Sequence, residues 1–215
     1  VYLTIDETIQ SICEKYMQKG VEDNNVLNKG VCIAMDVNTG AILAMVTTDG
    51  YDLNNPYELS AKDKKKIKST AKSKQAEAES AALSNMWRNK AVADTYMPGS
   101  VFKMCIASAA LEENLVNDKT SFTCTGSIEV EGETIHCSNI SGHGTQNFVE
   151  AISNSCNPAF IQIGQMLGAG KFRQYYQGFG FSDKTGIDLP GEAEDSFWKE
   201  GKMGGVDLAV ASFGQ

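Results

Sequence analysis

The sequence has no apolar run approaching the ~18 to 20 residues that a membrane-spanning helix needs, and no signal peptide opens it. Either the protein is soluble by nature or an anchor has been removed. Positive charge is in short supply: 19 lysines and arginines stand against 27 acidic residues, for a net charge of -8. That balance excludes nucleic-acid binding, which rests on neutralising phosphates. Internal repeats are absent. Glycine and proline are missing from Glu58 to Met97, a stretch of lysine, alanine, serine and glutamate that reads as helical or partly disordered, with Ser60 and Asp63 spaced as a capping box. Residues 60–75 hold seven lysines against Asp63, a local net of +6 that leaves -14 for the remainder. The run, within a lysine-rich insertion at 58–86, is either a solvated helical face or a contact for an anionic membrane or wall polymer. Cysteine is too sparse and scattered for a disulfide scaffold, although six are many for a cytosolic chain. Cys13, Cys32 and Cys105 sit in apolar contexts and are expected to be buried small hydrophobes.

What is present describes one globular domain: 215 residues, 42% of them hydrophobic, can bury a single core. Ile5, Ile9, Ile12, Cys13, Tyr16 and Met17 recur at helical spacing, opened by a capping box from Thr4 to Glu7 and closed by Gly20. Residues 31–37 and 41–48 form a hairpin around Asn38-Thr39-Gly40, and their continuous hydrophobicity predicts burial on both faces. A second hairpin, 123–137, turns at Glu131-Gly132. Helical stretches follow at 147–154 and 158–167, broken at Ser155 to Asn157, where a short loop between packed helices can hold polar groups over a cleft.

The chemistry centres on Tyr96-Met97-Pro98-Gly99-Ser100-Val101-Phe102-Lys103. Pro98 and Gly99 end the preceding segment, and the apolar spacing of Phe102, Ile106, Ala109 and Ala110 starts a buried helix there. Ser100 therefore lies at a helix N-terminus, with Lys103 one turn later on the same face. A serine needs a base within reach and donors for the oxyanion, and a lysine of lowered pKa can be that base. Alone, Ser-x-x-Lys is more often an N-cap beside a surface lysine.

With its flanks, this stretch resembles the nucleophile motif of the penicillin-binding proteins, whose partner motifs are Ser-x-Asn and Lys-Thr-Gly. Ser155-Cys156-Asn157 is the Ser-x-Asn. Thr4-Ile5-Asp6, Tyr51 to Pro56, Trp87-Arg88-Asn89 and Thr185 to Glu192 are similar to the class B branch, leaning toward sporulation-specific and elongation-type members of Gram-positive bacteria. Met97 and Val101 depart from the usual pattern without touching the catalytic atoms. The resemblance implies an α/β fold of the penicillin-binding protein and serine β-lactamase type, an antiparallel sheet flanked by helices with a helical subdomain at 145–180. It implies a D,D-transpeptidase in which Ser100 attacks a D-alanyl-D-alanine stem peptide, Lys103 takes the proton, Ser155 relays it, and Asn157 holds the substrate amide and orients Lys103. β-Lactams would acylate Ser100. It implies no required cofactor, an N-terminal membrane anchor ahead of Val1 that places the domain on the outer face of the cytoplasmic membrane, and cell-wall synthesis partners; Val1 is expected to be a truncation point.

Lys184-Thr185-Gly186 is not expected to be the third motif. It runs into Ile187-Asp188-Leu189-Pro190-Gly191, and proline is excluded from the central strand that the motif requires. The chain would then lack that motif and its later strands, leaving it inactive or weakly active. Two other readings stay open: a β-lactam sensor or inactive scaffold of the same fold, and a serine β-lactamase, for which no water-activating group is marked.

Cys124, Cys137, His143 and Cys156, with His136 in reserve, carry a further alternative. A two-residue turn at Glu131-Gly132 would pair Val130 with Glu133 and set Cys124 nearly opposite Cys137, which suits a disulfide outside the cell. Thiolates and imidazole are also the ligand set of tetrahedral zinc, and a metal on Cys137, His143 and Cys156 would tie this hairpin to the Ser155–Asn157 loop. Cys156 as a buried spectator is the third outcome.

Overall fold

The computed structural model describes every residue except 1, 27, 28, 49, 195, 196, 199 and 200, so the expectation about Val1 lies outside the described residues. The chain divides into two compact units, residues 1–94 with 189–193, and residues 95–188 with 194–215.

In the first unit, α1 (Glu7–Asp23) packs on an antiparallel hairpin of β1 (Val31–Met35) and β2 (Ile42–Thr47). Gln10 fastens the helix to the sheet, its amide bonded both ways to the Met45 backbone at 2.9 and 3.2 Å. The helix starts two residues later than the sequence spacing suggests. Asp6 is the N-cap, accepting from the Ile9 amide, because the Thr4 hydroxyl is spent on the Ile42 carbonyl and the Asp6 amide on that of Leu43. Nor does Gly20 end it: the helix runs on to Asp23, and Asn24 caps the Gly20 carbonyl before Asn25 turns left-handed at φ 49°. The expectation of a doubly buried hairpin is corrected as well. β2 buries Ala44 and Val46, but Val31, Ile33 and Met35 of β1 are exposed, because α1 lies against one face only. Cys13, Cys32 and Cys105 are only partly buried.

The segment without glycine or proline is helical: α2 (Ala61–Lys68), a 3₁₀ turn (Lys72–Lys74), α3 (Gln75–Trp87) and α4 (Lys90–Ala93). Ser60 caps α2 through the Asp63 amide at 3.1 Å, as its spacing predicts. Trp87 anchors α3 by donating to the Pro56 carbonyl and meeting Tyr57 edge-on.

The second unit is built on α5 (Lys103–Glu112) and α7 (Asn157–Gly178), packed over a core that includes Ile106, Phe122, Phe148, Phe160, Ile163 and Phe172. α7 kinks at Gly168, whose φ of 75° and ψ of 156° are non-helical. Two small antiparallel ladders flank the helices. β3 (Ser121–Cys124) pairs with β6 (Gly144–Asn147), and β4 (Ser127–Val130) with β5 (Glu133–His136) around the Glu131-Gly132 turn. The 123–137 hairpin is therefore shorter than expected. Val130 does face Glu133, but the chain turns at Gly126, φ 99°, and Cys124 goes to the other ladder opposite Gly144.

After β6, α6 (Phe148–Ser153) opens on a full capping box, Asn147 accepting from the Glu150 amide and Glu150 from the Asn147 amide. Asn147→Ala is expected to cost about 1 kcal/mol of stability, read from the midpoint of urea unfolding. α8 (Gly205–Ala211) closes against α7, where a Cβ on Gly164 would lie 1.8 Å from the Ser212 hydroxyl.

Candidate active site

Pro98 and Gly99, the latter at φ 66°, lead into a 3₁₀ turn, Gly99–Phe102, that precedes α5. At three residues per turn, positions i and i+3 eclipse, so Ser100 and Lys103 line up more closely than an α-helix would bring them. The Lys103 Nζ stands 3.3 Å from Ser100 Oγ. Ser100 is exposed while Lys103 is only 1% exposed, so the hydroxyl faces solvent and the amine does not.

The break between α6 and α7 supplies the rest. Ser155 adopts φ 49°, a left-handed conformation that costs a non-glycine residue of order 1 kcal/mol. It turns both its carbonyl and hydroxyl onto Lys103 Nζ, at 2.7 and 3.0 Å. Asn157 adds its Oδ1 at 2.8 Å, and its own amide donates to the His136 carbonyl, which fixes its orientation. Ser155 Oγ is also 2.9 Å from Ser100 Oγ. All four residues singled out by the motifs thus meet around one nitrogen.

This geometry sets what Lys103 can do. Burial pushes its pKa below the ordinary lysine value, with the Cys156 and Cys137 thiols pulling the other way. A neutral amine has two N–H groups and one lone pair. With the N–H groups on the Ser155 carbonyl and Asn157 Oδ1, the lone pair is left for the Ser100 hydroxyl. Such an arrangement can activate a hydroxyl as a nucleophile, and a second hydroxyl, that of Ser155, touches both partners.

Directly beneath lies a second cluster. Cys124, Cys137, His143 and Cys156 bring their ligand atoms within 4.8 Å of one another, three of them buried and His143 half-buried. All six cysteines are free thiols, so the Cys124–Cys137 disulfide is not formed. Two glycines make the cluster sterically possible: a Cβ on Gly142 would meet the Cys124 carbonyl at 2.4 Å, and one on Gly126 the Ile140 carbonyl at 2.0 Å. A tetrahedral zinc with Zn–S about 2.3 Å and Zn–N about 2.0 Å holds neighbouring ligand atoms roughly 3.5 to 3.8 Å apart. Cys137 Sγ and His143 Nδ1 are 3.6 Å apart. Burial pushes the Cys156 thiol up to about 12. Burial also acts to raise Cys137, but hydrogen bonds from the Asn139 and Asn157 amides and the Cys124 and Ser138 side chains together outweigh it and lower its pKa. Gln146 Nε2, buried without a hydrogen bond of normal geometry, lies beside Cys156 and favours its thiolate. The four residues therefore fit a metal ion in number, type and spacing. His136 stays outside the cluster, exposed on β5 opposite Ser127.

Two contributors carry no motif. Gly214 accepts from the Gly99 amide at 3.0 Å, and its own φ is 88°. Phe160 places its ring 5.5 Å from Lys103 Nζ. Lys184-Thr185-Gly186 lies in no strand, as expected from the proline that follows.

Comparison with known proteins agrees with this architecture. Residues 30–215 match the model of the penicillin binding protein transpeptidase domain. Stage V sporulation protein D of Bacillus subtilis is 35% identical over 214 residues, covering 99% of this chain and 30% of the relative. The peptidoglycan D,D-transpeptidase PbpA of Mycobacterium tuberculosis is 31% identical over 82% of this chain and 35% of its own length. The chain thus spans about a third of the length of these relatives. Among solved structures, the transpeptidase domain of Burkholderia pseudomallei penicillin-binding protein 3 superposes with a TM-score of 0.75 at 22% identity, over 99% of this chain and 52% of that one. By the extent of the domain match and the identity to its relatives, the chain belongs to the penicillin-binding protein transpeptidase family.

Proposed function

We propose that this protein is a peptidoglycan D,D-transpeptidase working through a serine acyl-enzyme, and that the observation carrying this is the convergence of Ser100, Ser155 and Asn157 on the buried Lys103 nitrogen. Ser100 Oγ attacks the carbonyl of the penultimate D-alanine of a stem peptide, and neutral Lys103 takes the hydroxyl proton. Ser155, in contact with both groups, passes a proton to the nitrogen of the departing D-alanine. An amine from a neighbouring strand then takes the acyl group and frees Ser100. β-Lactams enter as donor mimics and remain bound as esters. Among the described residues no helix is long and apolar enough to cross a membrane; the substrate class assigns the domain to the outer face of the cytoplasmic membrane, held there by an anchor and working with other wall-synthesis proteins. Intact-mass analysis after incubation with a penicillin, followed by a donor–acceptor turnover assay, tests the reading: an adduct with turnover supports it, an adduct without turnover indicates a sensor, and no adduct in the full-length protein overturns it.

The cysteine cluster we assign as a structural zinc site, with Cys124, Cys137, His143 and Cys156 as ligands. Its support is the donor set and the near-tetrahedral spacing. Because Cys156 separates Ser155 from Asn157, an ion here would tie the loop on which Lys103 depends to β3 and the β5–β6 connection, and the ion itself would supply only cross-linking. Protein purified without chelator is expected to contain about one zinc per chain, with the four ligands protected from alkylation, and Cys137→Ser to lower both the metal content and the protection. Substoichiometric zinc, with Cys137 and Cys156 freely alkylated in the native state, would sink the assignment.

A further inference from the structure

The acidic chain carries one strongly basic surface, and it lies outside the active-site unit. Lys62, Lys65, Lys66 and Lys68 on α2 and Lys72 and Lys74 on the following 3₁₀ turn are all exposed, and none forms an ion pair among the described residues. Only Lys64 is paired, with Glu58 at 3.1 Å. At 3.6 residues per turn, the four α2 lysines fan over an arc of about 160°, while Asp63 and Ile67 on the opposite side are half-buried. With 27 acidic residues in the chain, this surface could have been neutralised internally. It is left open.

We propose that this surface binds a linear polyol phosphodiester polymer. Three observations select that occupant. Lysine ammonium groups are point charges suited to phosphates at variable geometry, not a rigid fork. Neither α2 nor the 3₁₀ turn has an exposed aromatic or large aliphatic residue to insert into a bilayer, Ile67 being half-buried, and interfacial helices need such a face; a flexible chain can also follow an arc that a flat membrane cannot. Finally, a recess of about 430 Å³ lined by Lys64, Asn54, Asn55, Pro56 and the exposed Tyr57 opens beside α2, the ring offering a face to the carbon backbone of a polyol. The Asn54 and Asn55 amide nitrogens each give one N–H to Asp52, at 3.1 and 2.9 Å, which orients both amides and leaves their oxygens to accept from hydroxyl groups. Glu58 also lines the recess, its charge met by Lys64.

The test uses the full chain and synthetic poly(glycerol phosphate), with phosphatidylglycerol vesicles as the second probe. Four phosphate contacts, at about 0.7 counterion each, predict a roughly 50-fold loss of affinity between 50 and 200 mM salt. The triple variant Lys62→Gln, Lys65→Gln, Lys66→Gln is expected to lower the salt slope by about 2 and to leave penicillin labelling unchanged, so this result stands apart from the proposed activity. A control with the same net charge, Lys15→Gln, Lys19→Gln, Lys119→Gln, is expected to bind as the parent does. No polymer binding at 50 mM salt, equal losses in the two triple variants, or vesicles bound in preference to the polymer would each overturn the proposal.

Discussion

Ser100→Ala is expected to abolish covalent penicillin labelling of the full-length protein, and Lys103→Ala to slow it by roughly 10²- to 10⁴-fold, the usual cost of losing a general base. The two variants differ in kind. Without Ser100 Oγ there is no atom to acylate, whereas without Lys103 the nucleophile remains, with Ser155 Oγ still 2.9 Å away as a poor acceptor for its proton. pH dependence separates the base from a merely structural lysine. Lys103 must be neutral to act, and burial lowers its pKa in the fold, so acylation should fall as pH drops through a value below that of free lysine. That limb should be absent in Lys103→Ala. The same shift has a stability consequence of definite sign: the unfolded chain holds the proton to higher pH than the folded one, so stability rises with pH between the two values. Loss of labelling in Lys103→Ala with an unfolded circular dichroism spectrum would leave fold and base confounded; Lys103→Met, which keeps most of the volume, is then the variant to read. An unchanged acylation rate in Lys103→Met would refute the base assignment.

The second large effect is expected far along the sequence from the nucleophile. A Cβ on Gly214 would lie 2.1 Å from the Gly99 carbonyl oxygen and 2.8 Å from its nitrogen, contacts with backbone that no rotamer relieves. Gly214→Ala must therefore push on the residue preceding Ser100, while Lys103 stays held by Ser155 and Asn157. A displacement near 1 Å at a reacting atom costs about 10²-fold, and the loss should appear in the acylation step with noncovalent penicillin affinity little changed. Gly99→Ala is the contrasting case. It has open space around its Cβ but a φ of 66°, so only backbone strain is introduced. If Gly214→Ala acylates at the parental rate, the contact has no part in placing Ser100.

The sequence made the short-range features legible. Ser100 and Lys103, three residues apart, are placed by one turn, and Ser60 with Asp63 by another. Local rules failed where a distant segment competed for the same atoms. Thr4 has the spacing of a cap, but its hydroxyl is taken by Ile42. The alternation of residues 123–137 suggests one hairpin, but β6 claims Cys124, and the exchange depends on two left-handed glycines whose close approaches leave no period in the sequence. The exposure of β1 is not legible because hydrophobicity reports what a strand tolerates on each face and not which face α1 occupies. For the thiol cluster, composition and window suggested a ligand set, but the assembly of four groups within 4.8 Å rests on strand exchange that spacing alone cannot convey. Gly214 offered no signal beyond being a glycine.

The Lys103 nitrogen joins atoms separated by 52 and 54 residues along the chain, and the contact between the two serine hydroxyls spans 55. Loop closure of that length is entropically costly and is repaid only when the docking surfaces are already formed, so such contacts belong to the slow, nonlocal part of a folding reaction. α5 and α7 can each form early from local contacts, yet neither alone gives Ser100 a reactive partner. Under the proposed activity, nucleophilicity is accordingly a property that arises at the end of folding: a nascent or partly unfolded chain would bear the serine but not its chemistry, and penicillin labelling would count only molecules that have completed the long-range closure.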